Sequence, residues 1–371
     1  MSNGSQVRVG IIGTGVGIRT LVPGFRSTGK AEIIGIVGSS PKRAQECAAK
    51  VGIPRAFDDY KQLIDCKDID LICVASPNKY HYEEAAYAIR AGKHLLVEKP
   101  LALSSKETAK LAHSVEGYRR MAVVDHQLRF NPYIQEIKRQ IQTGRIGAPY
   151  FIRIHQQGTG FSRRDATWNW SFDEKEGGGV LLAMGSHLLD LLWYWLGKAK
   201  VYSVDCTIDP VVTERADDLG RMRNVRASSF FAASLSLGGG CTAHLSATAA
   251  ALGESRFDID VFGSDGELHF DLAGKLKASY LENVGKIQAV EVSGVTEEEQ
   301  RNTVSIFKGS FVYFAPAIVE AIVSGDLSNV ADGCTFLDAV RTQEVLDALS
   351  KAALGGSSVQ IDKGYITRAA I

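Results

Sequence analysis

The hydrophobic positions of this chain change period near residue 125. Before it, short and nearly continuous apolar runs at 6–12, 31–37, 69–75, 95–97 and 121–124 alternate with amphipathic stretches. Runs of that length, apolar on both faces, are the signature of buried strands in a parallel sheet. The stretches between them predict helices at 18–27, 42–50, 58–65, 78–91 and 104–117. After a further helix reaching Gly144, the period falls to two over 150–156, 201–208, 226–237, 241–248, 257–262 and 267–270. Turn sequences at 238–240 and 264–266 join some of these segments, so an antiparallel sheet is expected there. The segment 180–196 is apolar nearly all round, which predicts a buried helix. Helices at 303–324 and 336–353 and a short strand at 359–361 complete the pattern. The expected fold class is α/β, with a parallel-sheet domain over 1–126 and a second α/β domain over 127–371.

Composition narrows the function classes. The 371 residues carry 42 basic and 42 acidic side chains, so no bulk charge favours nucleic acid or an anionic membrane. The opening residues are polar and lead into a strand, which predicts no secretory signal, and no apolar run reads as a membrane span. The six cysteines form no C-x-x-C pair. Their spacing predicts neither a metal site nor disulfides, and the simplest setting is a reducing, cytoplasmic one.

The candidate chemistry gathers at the carboxyl ends of the predicted parallel strands, where open α/β sheets bind ligands. Gly13-Thr14-Gly15-Val16-Gly17 follows the first strand and opens a helix, the arrangement that seats a pyrophosphate on backbone N–H groups. Ile18 stands where a third glycine of G-x-G-x-x-G is expected. The second strand ends in Gly38-Ser39-Ser40-Pro41-Lys42-Arg43, without the carboxylate that bonds a ribose 2′-hydroxyl. Hydroxyls and cations there suit a 2′-phosphate, so NADP is expected to be preferred and NAD possible. The alternative is that Lys42 and Arg43 only face solvent. Ala75-Ser76-Pro77-Asn78 reaches the same edge, with Asn78 as a helix N-cap, and His81 is read as bonding neighbouring backbone. Glu98 and Lys99 end the 95–97 strand, and Pro100 biases Lys99 toward extended backbone. Glu98 and Lys99 are read as a functional pair rather than a surface ion pair.

In the second half, Arg163-Arg164-Asp165-Ala166-Thr167-Trp168-Asn169-Trp170 precedes Gly177-Gly178-Gly179. Trp168 is either a platform for a sugar ring or a residue packed on the core; Trp170, Trp193 and Trp195 read as packing. His187 and Asp190 lie three apart on the apolar helix and so share a face. An acid–base role is favoured for them over a satisfied core pair, with the triple glycine letting substrate approach the backbone. Asp338 and Arg341 share a helix face and are expected to pair.

Five of these stretches, at 13–17, 75–81, 91–102, 129–132 (Arg-Phe-Asn-Pro) and 177–190, together resemble the glucose–fructose oxidoreductase, inositol dehydrogenase and rhizopine-catabolism (Gfo/Idh/MocA) family, over essentially the whole chain. The resemblance implies a Rossmann domain followed by a domain with a large, open, mainly antiparallel sheet, and a homodimer or homotetramer formed through that sheet. It implies NAD(P)-dependent hydride transfer at a hydroxyl or keto carbon of a sugar, inositol or sugar derivative. It places oxygen polarisation on Lys99, acid–base catalysis on His187 and support on Asp190, with Arg129, Arg164 and Trp168 expected to contact substrate. Ala183 stands where many members carry Asp, four residues before the histidine. Two other activities fit the resemblance: redox-neutral glycoside cleavage with a retained NAD, and non-catalytic NADP sensing.

Overall fold

A computed structural model of the protein describes residues 6–197, 199–272, 275–295 and 306–361. These form two compact units. The first takes residues up to Asn131 and then 306–340. Its sheet consists of β1 (Val7–Ile12), β2 (Ala31–Val37), β3 (Arg55–Phe57), β4 (Leu71–Val74), β5 (His94–Val97) and β6 (Ala122–Val124). All pairs are parallel, in the order β3-β2-β1-β4-β5-β6. The order reverses between β1 and β4, which opens a crevice at their carboxyl ends. Helices α1 (Val22–Ser27), α2 (Pro41–Val51), α3 (Tyr60–Asp65), α4 (His81–Arg90) and α5 (Ser105–Ser114) connect the strands. The pattern missed β3, a half-buried edge strand too short for a period to show.

Both faces of this sheet are covered. On one, Leu63, Ile64, Ala85, Ala88 and Leu111 pack on Ile12, Ile72 and Val97. On the other, Leu21 and Phe25 meet the helix Ile306–Ser324, whose Phe311 stands edge-on to Phe25 at 5.3 Å while Phe314 stacks on Phe130 at 4.3 Å. Gly24 is required at this crossing, since a Cβ there would lie 2.3 Å from the Phe311 ring. The compact unit thus runs to Asn131 and takes in a return of the chain, because an all-round apolar helix buries where the uncovered apolar surface is. The helix start expected at Thr303 lies outside the described residues.

The second unit takes residues from Pro132 and from Arg341. It contains α6 (Pro132–Gln142), β7 (Pro149–Gln157), α7 (Ser186–Leu196), β8 (Val201–Asp209), β9 (Glu214–Ala216), β10 (Met222–Asn224), β11 (Phe230–Leu237), β12 (Thr242–Thr248), β13 (Arg256–Gly263), β14 (Gly266–Asp271), β15 (Lys275–Tyr280), β16 (Gln288–Ala289) and β17 (Val359–Gln360). Nine of these strands form one sheet, β16-β15-β14-β13-β7-β12-β11-β8-β17, and β9 pairs with β10. Every neighbour in the large sheet is antiparallel except β7 and β12, so the sheet is mixed. Short turns join β11 to β12, β13 to β14, β14 to β15 and β15 to β16, which makes those neighbours antiparallel, whereas β7 and β12 are distant in the chain and free to run parallel. α7 packs on this sheet: the site of Gly185 touches Phe231 of β11 and Leu346, and Trp195 Nε1 donates to Ile134 O at 3.3 Å. Against expectation, the 23 residues Glu174–Leu196 are long and apolar enough to cross a membrane, but 78% of their apolar window is buried in the protein. Asp338 accepts from Arg129, and Arg341 donates to the Gly197 and Ala199 carbonyls while lying over the Trp193 ring at 3.7 Å.

Candidate functional site

The crevice of the first unit is built around glycines, two of which, Gly13 and Gly17, leave no room for a side chain. Gly13 has φ +113°, and a Cβ on it would lie 2.1 Å from Ala75 O. Its N–H donates to Val37 O at 2.9 Å, and Ala75 N–H donates to Ile12 O at 2.7 Å, so β1, β2 and β4 converge on this point. Gly15 is open to solvent with only the Arg19 guanidinium nearby. Gly17 does the work assigned to a third glycine: a Cβ there would lie 2.7 Å from Ile11, so the following helical turn packs tightly on its strand. A one-residue shift explains why Ile18 is tolerated. Thr14 and Val16 are half-buried in the same loop. This cradle fits a dinucleotide, because backbone approaches where side chains are excluded and a helix begins beside it.

At the end of β2, a Cβ on Gly38 would lie 2.8 Å from Ala44 N, so the turn into α2 is also tight. Ser40 caps α2 by accepting from Arg43 N–H at 3.2 Å. Ser39 and Arg43 are exposed, and Arg43 has no acidic partner among the described residues. Beyond β4, Ser76 and Pro77 lead into a 3-10 turn at Asn78–Tyr80. Asn78 is the buried first residue of that turn, not the expected side-chain N-cap. His81 is fully buried with Nδ1 2.8 Å from Pro100 O and Nε2 3.0 Å from Ser76 O, so it ties two loops of the edge together. Burial holds its pKa below the usual histidine value, and the Lys99 charge adds to this.

Glu98 and Lys99 stand at the same edge. Glu98 is buried, and its N–H donates to Val74 O at 2.8 Å. Burial raises its carboxyl pKa while the Lys99 charge opposes the rise. Lys99 is half-buried and precedes a cis Lys99–Pro100 bond. Burial lowers its ammonium pKa and the Glu98 charge opposes the fall. Ser76 Oγ–H donates to Glu84 Oε2 at 2.6 Å, and burial pushes the Glu84 carboxyl up to about 7. Arg129, expected to contact substrate, is 5% exposed; it donates to Gly333 O at 3.2 Å and to Asp338 Oδ2 at 3.1 Å, clamping the returning segment.

In the second unit, His187 and Asp190 are 2% and 1% exposed on α7, one helical turn apart. Ala183 lies in a π-helical turn, Leu181–Gly185, that precedes them. The triple glycine serves the protein's own chain. A Cβ on Gly178 would lie 2.4 Å from Ser171 O, and Gly179, at φ +103°, would meet Ser228 Oγ at 3.0 Å. The expected role in admitting substrate to this backbone is corrected accordingly: the three glycines are buried against neighbouring backbone. Trp168 donates from Nε1 to Asn224 O at 3.3 Å and carries the Arg223 guanidinium 3.5 Å above its ring. It borders a hollow of about 240 Å³ shared with Lys175, Arg223 and Arg226. Arg163 pairs with Asp165, and Arg164 is exposed. The residue that holds this loop escaped sequence reasoning. Arg215, 1% exposed, donates to the carbonyls of Phe161, Arg163 and Ala166 and lies over Phe172 at 4.3 Å. Arg19 escaped too; an arginine one turn past a glycine loop has no signature of its own.

A doubly wound parallel sheet, a glycine cradle at its crevice and the Glu98–Lys99 pair beside it define a dinucleotide-dependent oxidoreductase fold. The chain belongs to the Gfo/Idh/MocA oxidoreductase family: the NAD-binding Rossmann-fold profile matches residues 7–126 and the C-terminal alpha/beta-domain profile residues 138–361. It is 28% identical over 270 residues to an uncharacterized oxidoreductase of Synechocystis, covering 72% of each chain. It is 30% identical over 205 residues to D-glucoside 3-dehydrogenase of Escherichia coli, covering 54% of this chain and 57% of that one. A levoglucosan dehydrogenase solved with NADH and levoglucosan superposes with a TM-score of 0.85 over 96% of this chain and 99% of that one, at 20% identity.

Proposed function

We propose that the protein transfers hydride between NADP and a hydroxyl or keto carbon of a sugar, inositol or sugar derivative. The observation that carries this reading is the pair of buried Glu98 and half-buried Lys99 at the edge formed by the glycine cradle. A cation partly withdrawn from water beside a dinucleotide crevice is suited to a developing alkoxide. The two relatives named for glucosides and levoglucosan support the substrate class. The bound nicotinamide supplies the hydride chemistry. Gly13, Thr14, Gly15 and Val16 would hold its pyrophosphate, and Ala75, Ser76, Pro77 and Asn78 the nicotinamide end, on a loop that His81 fixes. Gly38, Ser39, Ser40 and Arg43 would hold the adenosine ribose. NADP preference rests on the carboxylate-free end of β2 and the exposed Arg43; Ser40 contributes less than its hydroxyl suggests, because it caps α2.

Lys99 polarises the substrate oxygen, and Glu98 supplies its counter-charge. His187 exchanges the hydroxyl proton, held by Asp190, a positioned transfer worth roughly 10²- to 10⁴-fold. Arg164 and Trp168 grip the substrate. A cytoplasmic homodimer or homotetramer, joined through the large sheet, completes the reading; exposed Tyr150 and Tyr202 on that sheet support it. The test is a spectrophotometric screen of sugars, inositols, their keto forms and sugar acids with NAD(H) and NADP(H) in parallel. NADP should give the higher kcat/KM, and Arg43→Ala should lower it about tenfold for NADP alone. Lys99→Ala and His187→Ala should each cut kcat at least a hundredfold while dinucleotide binding persists. NAD preference would overturn the cofactor assignment, and near-normal turnover of either variant the role of that residue.

A further inference from the structure

Asp125 is a buried acid that the mechanism above leaves unused. β5 and β6 run parallel in register, with Val97 opposite Val124, so the residues that follow, Glu98 and Asp125, emerge side by side at the sheet edge. Asp125 N–H donates to Val97 O at 2.7 Å, which fixes its backbone there. The Asp125 side chain is fully buried, and the Glu98 side chain that follows the paired position of the neighbouring strand is buried too. Two carboxylates held side by side out of water repel each other, which favours a proton on one of them. Neither Asp125 oxygen has a hydrogen-bond donor among the described residues, so nothing there solvates a second negative charge. The groups facing the pair are few. β4 contributes the Cys73 thiol, which burial keeps un-ionised; α4 contributes His81, which burial keeps neutral; the positive charge is Lys99.

We infer that Asp125 is a positioning residue for Lys99: it stays protonated, donates to the Glu98 carboxylate, and leaves one negative charge beside the lysine instead of two. Burial and the Glu98 charge hold the Asp125 carboxyl well above the usual range, in the same sense. The buried set is then ammonium, carboxylate and carboxylic acid, with no net charge. One fixed counter-ion opposes the burial that would strip Lys99 of its proton. A second would bind the lysine to the acids and away from a reacting oxygen. The inference rests on the proposed role of Lys99 for its catalytic meaning, but its test does not.

The test uses full-length protein with dinucleotide bound and three readouts. The first is infrared spectroscopy with aspartate labelled at the side-chain carboxyl; the second is the NMR titration of Lys99, labelled at Cε and assigned with Lys99→Arg; the third is the pH profile of kcat/KM. Wild type should show a protonated aspartic carboxyl at pH 7 that disappears in Asp125→Asn. The asparagine amide also donates to Glu98 without charge, so this variant should keep the Lys99 titration and lose no more than about threefold in kcat/KM. Asp125→Leu offers no donor, and should lower the Lys99 pKa and the alkaline limb of the profile by about one unit, a tenfold change in ionisation. An ionised Asp125 at pH 7, or an Asn variant that shifts Lys99 as far as the Leu variant does, would overturn the inference. If Lys99→Ala retained turnover, the catalytic reading would fall while the infrared and NMR results still decided this one.

Discussion

Glu84 shows how a single buried group sets a condition on the cofactor edge. Its carboxyl is raised from 4.5 to about 7, by burial first, although Ser76 donates to the ionised form. An acid with a raised folded pKa costs no stability below its unfolded pKa, where both states are protonated. The cost grows as pH rises between the two values and is constant above the folded one. Glu84→Gln keeps the acceptor for Ser76 and removes the charge. It should therefore leave stability unchanged at pH 4 and raise it at pH 8 by up to about 3 kcal/mol, read from denaturant midpoints at both values. A glutamine variant no more stable than wild type at pH 8 would show that the carboxyl is solvated in the folded state. At this scale the sequence was most legible where chemistry requires one residue type at one place. Gly13, Gly15, Glu98 and Lys99 sit at the crevice as their spacing predicts. The bond from Arg129 to Asp338 was not legible, because a motif arginine before Asn-Pro carries no mark of so distant a partner. Asp125 was silent because its meaning lies in the neighbouring strand, and register is invisible in one strand alone.

Among elements, the loop 161–168 illustrates dependence on one buried cation. Three of its carbonyls converge on the Arg215 guanidinium, which comes from the small β9–β10 ribbon. Removing the donor leaves those carbonyls without their charged partner, at a cost of about 2–4 kcal/mol. Arg215→Leu should lower the melting temperature and speed proteolytic cleavage between Phe161 and Trp168, while Arg215→Lys should restore part of the protection. Cleavage at the wild-type rate in the leucine variant would mean the loop is held elsewhere. Period-two alternation identified most strands of the large sheet, since one residue in two of β8, β11 and β12 faces the core. It could not show that β7 and β12 run parallel, because alternation carries no direction. It also missed the β9–β10 ribbon, which is too short and exposed for a pattern.

For the whole molecule, the sequence correctly separated a parallel-sheet region from a mixed-sheet region but not the path between them. Continuity was assumed, whereas the first unit is completed by residues 306–340. The reason is physical: the helix Ile306–Ser324 is apolar on all sides and carries no label saying which surface it covers. A fragment ending at Asn131 would expose the apolar face that Phe311 and Phe314 cover. It should aggregate or bind no dinucleotide, whereas adding 306–340 through a flexible linker should recover soluble protein and binding by calorimetry. A fragment 1–131 that binds dinucleotide as the full chain does would show that this helix is dispensable. The same return of the chain imposes a schedule on synthesis. At ribosomal rates of 5–20 residues per second, the ~170 residues between the two parts take roughly ten to thirty seconds to make. Throughout that interval the glycine cradle exists on an unfinished body. The nascent first unit must wait with Phe25 and Phe130 uncovered, so the whole intervening unit is synthesised before its neighbour can close.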